Sequence, residues 1–342
     1  MHDRCVKPLK IGSSNSVRFS PDSHFLATIA RNVVLWNVES RERVAHAHPF
    51  THPAWMDFSP SGDRIAVKNT AGHICILSIP DLALVVTFDK RGASEGNQIS
   101  FSPCGRYLID SDWDGRVAVR DAAIGAFVRQ EVFPDTMIRW FAARSDRCAF
   151  AFGPYPKIES DSAPPTGLVA CRTWPFTDES TATFDLDNGE VDCVALSSDG
   201  RRVAALINEF PDHRLELLEQ CSTGWTSRHT TVTHKGGTSL AMAWSPDDSR
   251  LALTEGPCIS VFEAATLTRV AQHEIPYPCD VAWSSDGRLL ALGSWSKGIV
   301  IDAKSVGNLV TGSNHQDPVR QPSAELGLDK LKMLIQKAKA RR

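Results

Sequence analysis

The chain has 342 residues, 42% of them hydrophobic and 23% charged, with a formal net charge of -3. That balance describes an ordinary globular protein with enough apolar residues for a large core, and it leaves no overall basic footprint for nucleic acid. The nine cysteines (5, 75, 104, 148, 171, 193, 221, 258 and 279) are odd in number and form no CxxC, so the expected state is reduced thiols in a cytoplasmic protein. The opening MHDRCVKPLKIGSS lacks an apolar core of the signal-peptide kind, and no run of about 18 apolar residues predicts a membrane span.

In chain order, the dominant signal is a repeated aromatic-Ser-Pro turn. It stands at Phe19-Ser20-Pro21, Phe58-Ser59-Pro60, Phe101-Ser102-Pro103 and Trp244-Ser245-Pro246. Variants are Leu196-Ser197-Ser198-Asp199-Gly200 and Trp283-Ser284-Ser285-Asp286-Gly287, and a degenerate copy begins at Trp140. Anchors at 19, 58, 101, 140, 196, 244 and 283 are 39, 43, 39, 56, 48 and 39 residues apart. The third copy reads as four strands, Ile99 to Phe101, Arg106 to Ile109, Arg116 to Arg120 and Ala126 to Gln130, separated by Gly-containing turns. A period near 40 with this patterning predicts an all-β, seven-bladed β-propeller of four-stranded antiparallel blades over residues 1–312.

These repeats resemble the WD40-repeat family across about residues 6 to 312. The matching residues are the Ser-Pro-Asp/Ser-Gly turn and third strands such as Leu35-Trp36-Asn37 and Val119-Arg120-Asp121. No Gly-His pair opens the repeats and no Trp-Asp closes a third strand, so the family's Asp-His-Ser/Thr-Trp tetrad has no full counterpart here. The resemblance implies a non-catalytic scaffold that binds a protein or peptide partner, with no cofactor. It also implies that the end of the ring carrying the second-to-third and fourth-to-first connections is a partner face.

Blade four breaks the period on that face. Residues 153–167, GPYPKIESDSAPPTG, contain four prolines and read as a loop, and 208–213 lengthen the same connection in blade five. Trp113 and Trp295 fall in second-to-third connections on the same end. The predicted partner-binding residues are therefore Trp113, Trp295, Tyr155, Lys157, the Ile158-Glu159 step and Phe210. Trp113 and Trp295 could equally pack between blades. Two terminal strands compete to close the ring, Lys7 to Ile11 and Asn308 to Gly312, and the family's habit favours the first.

Beyond the propeller, 313–322 reads as a linker. Residues 323–342 read as a basic amphipathic helix, with Leu328, Leu331, Leu334, Ile335 and Ala338 on one face and six Lys or Arg residues elsewhere. It could dock on the propeller, on a partner, or on an anionic surface.

Two clusters raise metal chemistry. Asp110, Asp112 and Asp114 before Gly115 have the spacing of a calcium loop, but the repeat explains an Asp-rich tight turn there. His46, His48 and His52 lie on a predicted outer strand, where exposed histidines are ordinary. No metal site is predicted. GxxxxGK[ST], HExxH and GxSxG are absent. An enzyme of the small-molecule hydrolase or lactonase type, and an inhibitor or immunity-type binder of one partner, remain the alternative readings.

Overall fold

The computed structural model describes residues 8–88, 98–133, 136–144, 147–154, 168–173, 182–185, 190–209, 212–222, 224–233 and 241–307. They form a β-propeller in which each blade is a meander. The chain opens with β1 (Leu9–Ser14) and then enters blade one, made of β2 (Ser16–Phe19), β3 (Phe25–Ile29), β4 (Val33–Asn37) and β5 (Arg43–Ala47). Blade two holds β6 (Pro53–Phe58), β7 (Arg64–Asn69), β8 (Ile74–Ser78) and β9 (Leu84–Phe88). Blade three holds β10 (Ile99–Phe101), β11 (Tyr107–Ser111), β12 (Arg116–Asp121) and β13 (Phe127–Val132).

Blade four holds β14 (Thr136–Arg144), β15 (Arg147–Pro154), β16 (Leu168–Thr173) and β17 (Ala182–Asp185). Blade five holds β18 (Glu190–Leu196), β19 (Arg202–Glu209), β20 (Asp212–Cys221) and β21 (Gly224–Thr233). Blade six holds β22 (Met242–Trp244), β23 (Arg250–Glu255), β24 (Cys258–Glu263) and β25 (Thr268–Glu274). The last sheet has only three strands, in the order β1, β27 (Leu289–Asp302), β26 (Pro278–Trp283).

The expectation of seven four-stranded blades with a C-terminal helix is thus corrected. There are six four-stranded blades and a three-stranded closing sheet, and no α-helix among the described residues, only a 3-10 turn at Ala303–Gly307. The stretch expected to supply two strands, 289–302, is one continuous element. It folds back at Ser294, whose Oγ accepts from the backbone N–H of Ser296 at 3.1 Å and of Lys297 at 3.0 Å, and its two ends lie side by side, Ala303 N donating to Arg288 O at 2.8 Å. On one side of the bend Leu290 to Ser294 pair with β26, and on the other Gly298 to Val300 pair with β1. The N-terminal strand is therefore the one that ties the ring's ends. The alternative strand at 308–312 and the predicted linker and helix over 313–342 lie outside the described residues.

The core sits between sheets. Alternating strand residues present one apolar face to each neighbouring blade. Ala27, Ile29 and Leu35 of blade one meet Met56, Ile65 and Val67 of blade two, and Ile109 and Val119 meet Phe141 and Phe150 of blade four. At the closing sheet, Ile11, Ala282, Ala291 and Val300 pack on Val17 and Leu26. Each blade lacks a core of its own and depends on both neighbours.

Candidate functional site

The first strands of all the sheets surround a central cavity of about 450 Å³. Antiparallel order puts the first-to-second turns at one end of it, here the turn end, and the second-to-third connections at the other, the loop end.

Six turns at the turn end share one device. A buried serine (20, 59, 102, 197, 245 or 284) heads each. Its backbone N–H donates to the carbonyl five residues on. Its Oγ accepts from that same residue's N–H, for example Arg202 N at 2.9 Å and Leu289 N at 2.8 Å, with the equivalent bonds at Phe25, Arg64, Tyr107 and Arg250. The hydroxyl proton then goes to an aspartate: Ser20 to Asp22, Ser197 to Asp199, Ser245 to Asp247 and Ser284 to Asp286, each at 2.6 Å, and Ser59 to Asp63 at 2.9 Å. In blade three Cys104 takes the aspartate's place, 3.4 Å from Ser102 Oγ. These turns also lean on one another. A Cβ added at Gly62 would touch Pro21 Cδ at 3.5 Å, and one at Gly105 would touch Pro60 Cδ at 3.5 Å.

Blade four departs. The inner-strand bulges at Pro53/Trp55, Val191/Cys193 and Pro278/Asp280 each end four residues before the heading serine, and the bulge at Ile138/Trp140 sets Arg144 in that place. Arg144 pairs directly with Arg147. Both line the cavity. The Arg147 stem lies against Gly200, filling the role that proline plays between other turns: a Cβ there would lie 2.8 Å from Arg147 Cδ.

The cavity wall carries three arginines (18, 144, 147) and three aspartates (57, 248, 280). The aspartates are engaged. Asp280 Oδ2 accepts from Val17 N at 2.9 Å and pairs with Arg18 at 2.7 Å, locking the closing sheet to blade one. Asp57 Oδ2 accepts from Phe101 N at 2.8 Å and Ser100 Oγ at 2.9 Å; burial raises its pKa, against the pull of those bonds and of Arg144 and Arg18. Asp248 accepts from Ser198 N at 2.8 Å and Ser198 Oγ at 2.7 Å. Indole N–H groups are likewise satisfied: Trp244 donates to Ala195 O at 3.0 Å and Trp283 to Ala243 O at 3.1 Å.

At the loop end, Trp295 sits at the bend of β27 with 59% of its surface exposed. Its backbone N–H donates to Tyr277 O at 3.1 Å, and its carbonyl accepts from Ser13 Oγ at 2.9 Å. Tyr277, on the connection from blade six into the closing sheet, is 64% exposed and holds a φ of 52°. Tyr277 is absent from the residues predicted from sequence; its place between Pro276 and Pro278 just before an inner strand is the available signal. Trp113 lies on the predicted blade-three connection but is half-buried. Tyr155, Lys157, Ile158, Glu159 and Phe210 lie outside the described residues.

The calcium-loop spacing has another explanation. Asp110 pairs with the fully buried Lys68 of blade two, whose Nζ also donates to Ser111 O at 2.6 Å. Asp112 Oδ1 caps its own turn, accepting from Asp114 N at 3.0 Å and Arg116 N at 3.1 Å. His48 Nδ1 lies 2.9 Å from Asn32 Oδ1. No cluster of three metal-ligating side chains occurs among the described residues. Nor is any helix among them long and apolar enough to cross a membrane.

The fold and its central cavity define a β-propeller. It is similar to hydrazine synthase of Kuenenia stuttgartiensis, at a TM-score of 0.70 and 12% identity, over 88% of this chain and 98% of that one. It is equally similar to the β-propeller domain of Cps50 (Swd1) from Myceliophteria thermophila, at a TM-score of 0.70 and 13% identity, over 87% and 99%. At those identities the likeness is one of fold. No protein-family model matches the chain, and a search of curated proteins finds no similar sequence.

Proposed function

We propose that this propeller is a non-catalytic scaffold of WD40 type that binds a protein or peptide through its loop end. The observation that carries this reading is the Trp295–Tyr277 pair: two large aromatic side chains, mostly exposed, joined through their backbones on one end of a rigid ring. Such residues combine large contact area with little side-chain entropy to lose, and they dominate interface energetics. Trp113, Tyr155, Lys157, Ile158, Glu159 and Phe210 belong to the same proposed surface by their place in the chain. The cavity fits that reading, since each of its aspartates is already engaged by protein donors and no histidine lines it among the described residues.

The test is affinity purification of the full chain beside Trp295→Ala/Tyr277→Ala, followed by titration of the partner recovered. A tenfold or greater loss of affinity with an unchanged melting temperature is expected. Equal affinity for both chains would remove the loop-end pair from the interface.

A further inference from the structure

In five blades the pairing of the third strand with the outer strand shifts register at the same place, just before Trp36, Leu77, Arg120, Leu218 and Phe262. All five residues are buried, and four of them are apolar, as a position between blades demands. In blades one and six the aromatic ring is inside and its cross-strand partner is an exposed arginine. Arg43 lies over Trp36 at 4.9 Å and Arg269 over Phe262 at 5.8 Å. Blade three inverts the pair. Arg120 is inside, 5% exposed, and its partner Phe127 is outside, 6.0 Å from it.

The inversion leaves a charge where a core side chain belongs. Arg120 Nε is buried with no hydrogen-bond partner, and among the described residues no carboxylate pairs with the guanidinium. Asp121, next in the chain, points to the other face of the sheet, where it lies 3.9 Å from Arg106. A buried charge without a counter-charge is strongly destabilising, a cost that a carboxylate from outside would remove. The surface around it is apolar. Of the ten large apolar residues exposed among the described residues, six lie on two neighbouring blades: Leu84 and Val85 on β9, Ile124 in the turn before β13, and Phe127, Val128 and Val132 on β13. That turn rests on the end of β9, since a Cβ at Gly125 would lie 3.5 Å from Thr87 O and from Phe88 Cδ1. Among the described residues β13 pairs on one side only, with β12, so its other edge offers main-chain groups as well.

We propose that the outer rim of blade three docks an extended protein segment that carries one carboxylate among apolar side chains. The carboxylate meets Arg120, and its apolar neighbours cover Ile124, Phe127 and Val128 while the backbone lies along β13. A contiguous exposed apolar surface around an arginine is the composition on which interface energy concentrates. The rim is separate from the loop-end surface and stands or falls without it.

The experiment pans a phage-displayed library of random peptides on the full chain, with counter-selection on Arg120→Leu. Recovered peptides should carry Asp or Glu flanked by aliphatic or aromatic residues. In fluorescence polarisation they should bind the wild type at least tenfold more tightly than Arg120→Leu, and changing the peptide's acid to its amide should cost a similar factor. Ile124→Ser should weaken binding at least threefold. Arg43→Gln, which alters the uninverted pair of blade one, should leave it unchanged, and so should Trp295→Ala/Tyr277→Ala, which separates the rim from the loop end. Arg120→Leu copies the residue that blades two and five hold at this position, so without peptide it should melt above the wild type. Four results would each overturn the proposal: no peptide that distinguishes the two chains, recovered peptides without an acid, an Arg120→Leu chain that melts well below the wild type, or sedimentation showing wild-type dimers that Ile124→Ser and Arg120→Leu dissociate, which would give the rim to a second copy.

Discussion

In six turns of the ring one buried hydroxyl closes the loop: it accepts the N–H five residues on and hands its own proton to a side chain two to four residues ahead. In the β14–β15 connection the same position holds Arg144, which pairs directly with Arg147 three residues on. The six are self-contained devices for reversing a chain, and a satisfied device has nothing left for a ligand. The seventh connection is built on another plan. Even its neighbour contact is reassigned, because the Arg147 stem rather than a proline ring lies on the glycine of the next turn.

The largest effect should come from Gly200→Ala. Gly200 has φ +67°, a conformation that costs an L-residue about 1–2 kcal/mol, and a Cβ there would lie 2.8–3.0 Å from three atoms of the Arg147 stem. The combined cost should be about 3 kcal/mol. Gly62→Ala, with a similar φ of +75° but Pro21 at a comfortable 3.5 Å, should cost about 1 kcal/mol. Urea melts of both variants and of Gly200→Ala/Arg147→Ala measure the difference. If the double variant does not recover part of the loss, the Arg147 stem is not what fills that space.

This contrast also explains what can be read in the sequence. The Ser-Pro-Asp-Gly copies locate six turns, and the heading serines fall one residue after the predicted anchors at 19, 58, 101, 196, 244 and 283. The third repeat's strands fall within two residues of their expected places, since its turns are marked by Gly105, Gly115 and Gly125, all at positive φ. Blade four is misaligned at Trp140 because it lacks the proline and carries Arg144 where the other turns carry their heading serine; Phe141 to Arg144, expected to turn, continue β14. Only the bulge at Ile138/Trp140, a feature of pairing rather than of composition, puts Arg144 in register. The pairing of Lys68 with Asp110 across 42 residues is equally unreadable, because nothing local marks a lysine for burial.

A smaller effect follows from removing one hydroxyl. Ser197→Ala strands Arg202 N without its acceptor and should cost about 1–3 kcal/mol, while Arg144→Ala, which breaks no closed loop, should cost under about 0.5 kcal/mol. The pH dependence carries a matching signature. Asp199 is held below the ordinary carboxylate range: partial burial works against ionisation, but the Ser197 hydroxyl, Arg201 N and the neighbouring arginines outweigh it. Asp22, Asp63, Asp247 and Asp286 are lowered too. A lowered carboxyl contributes stability that is present above its unfolded pKa and lost as pH falls through the folded one. Ser197→Ala should therefore flatten the fall in stability below about pH 4, measured by urea melts from pH 6 to pH 3. Asp57 acts in the opposite sense, being raised, so its contribution fades as pH climbs from the ordinary aspartate range through the folded value.

The smallest and most local test uses Cys104, which makes its turn intermediate between the two kinds. Its thiol sits where the other turns place an aspartate, and it is exposed. The Ser102 hydroxyl and Arg106 N–H lower its pKa. By contrast, burial pushes Cys75 and Cys171 up to about 12. Since the thiolate is the reactive form, Cys104 should be the first described cysteine modified by a disulfide reagent at pH 7.5, well ahead of those two. Cys104→Asp should restore the full hydroxyl-to-carboxylate bond and raise stability by about 0.5–1 kcal/mol, with a steeper loss below pH 4 than the parent shows. A drop in stability would mean that blade three's turn is shaped around sulfur, and that the serine alone, rather than the serine–acid couple, is what the six turns have in common.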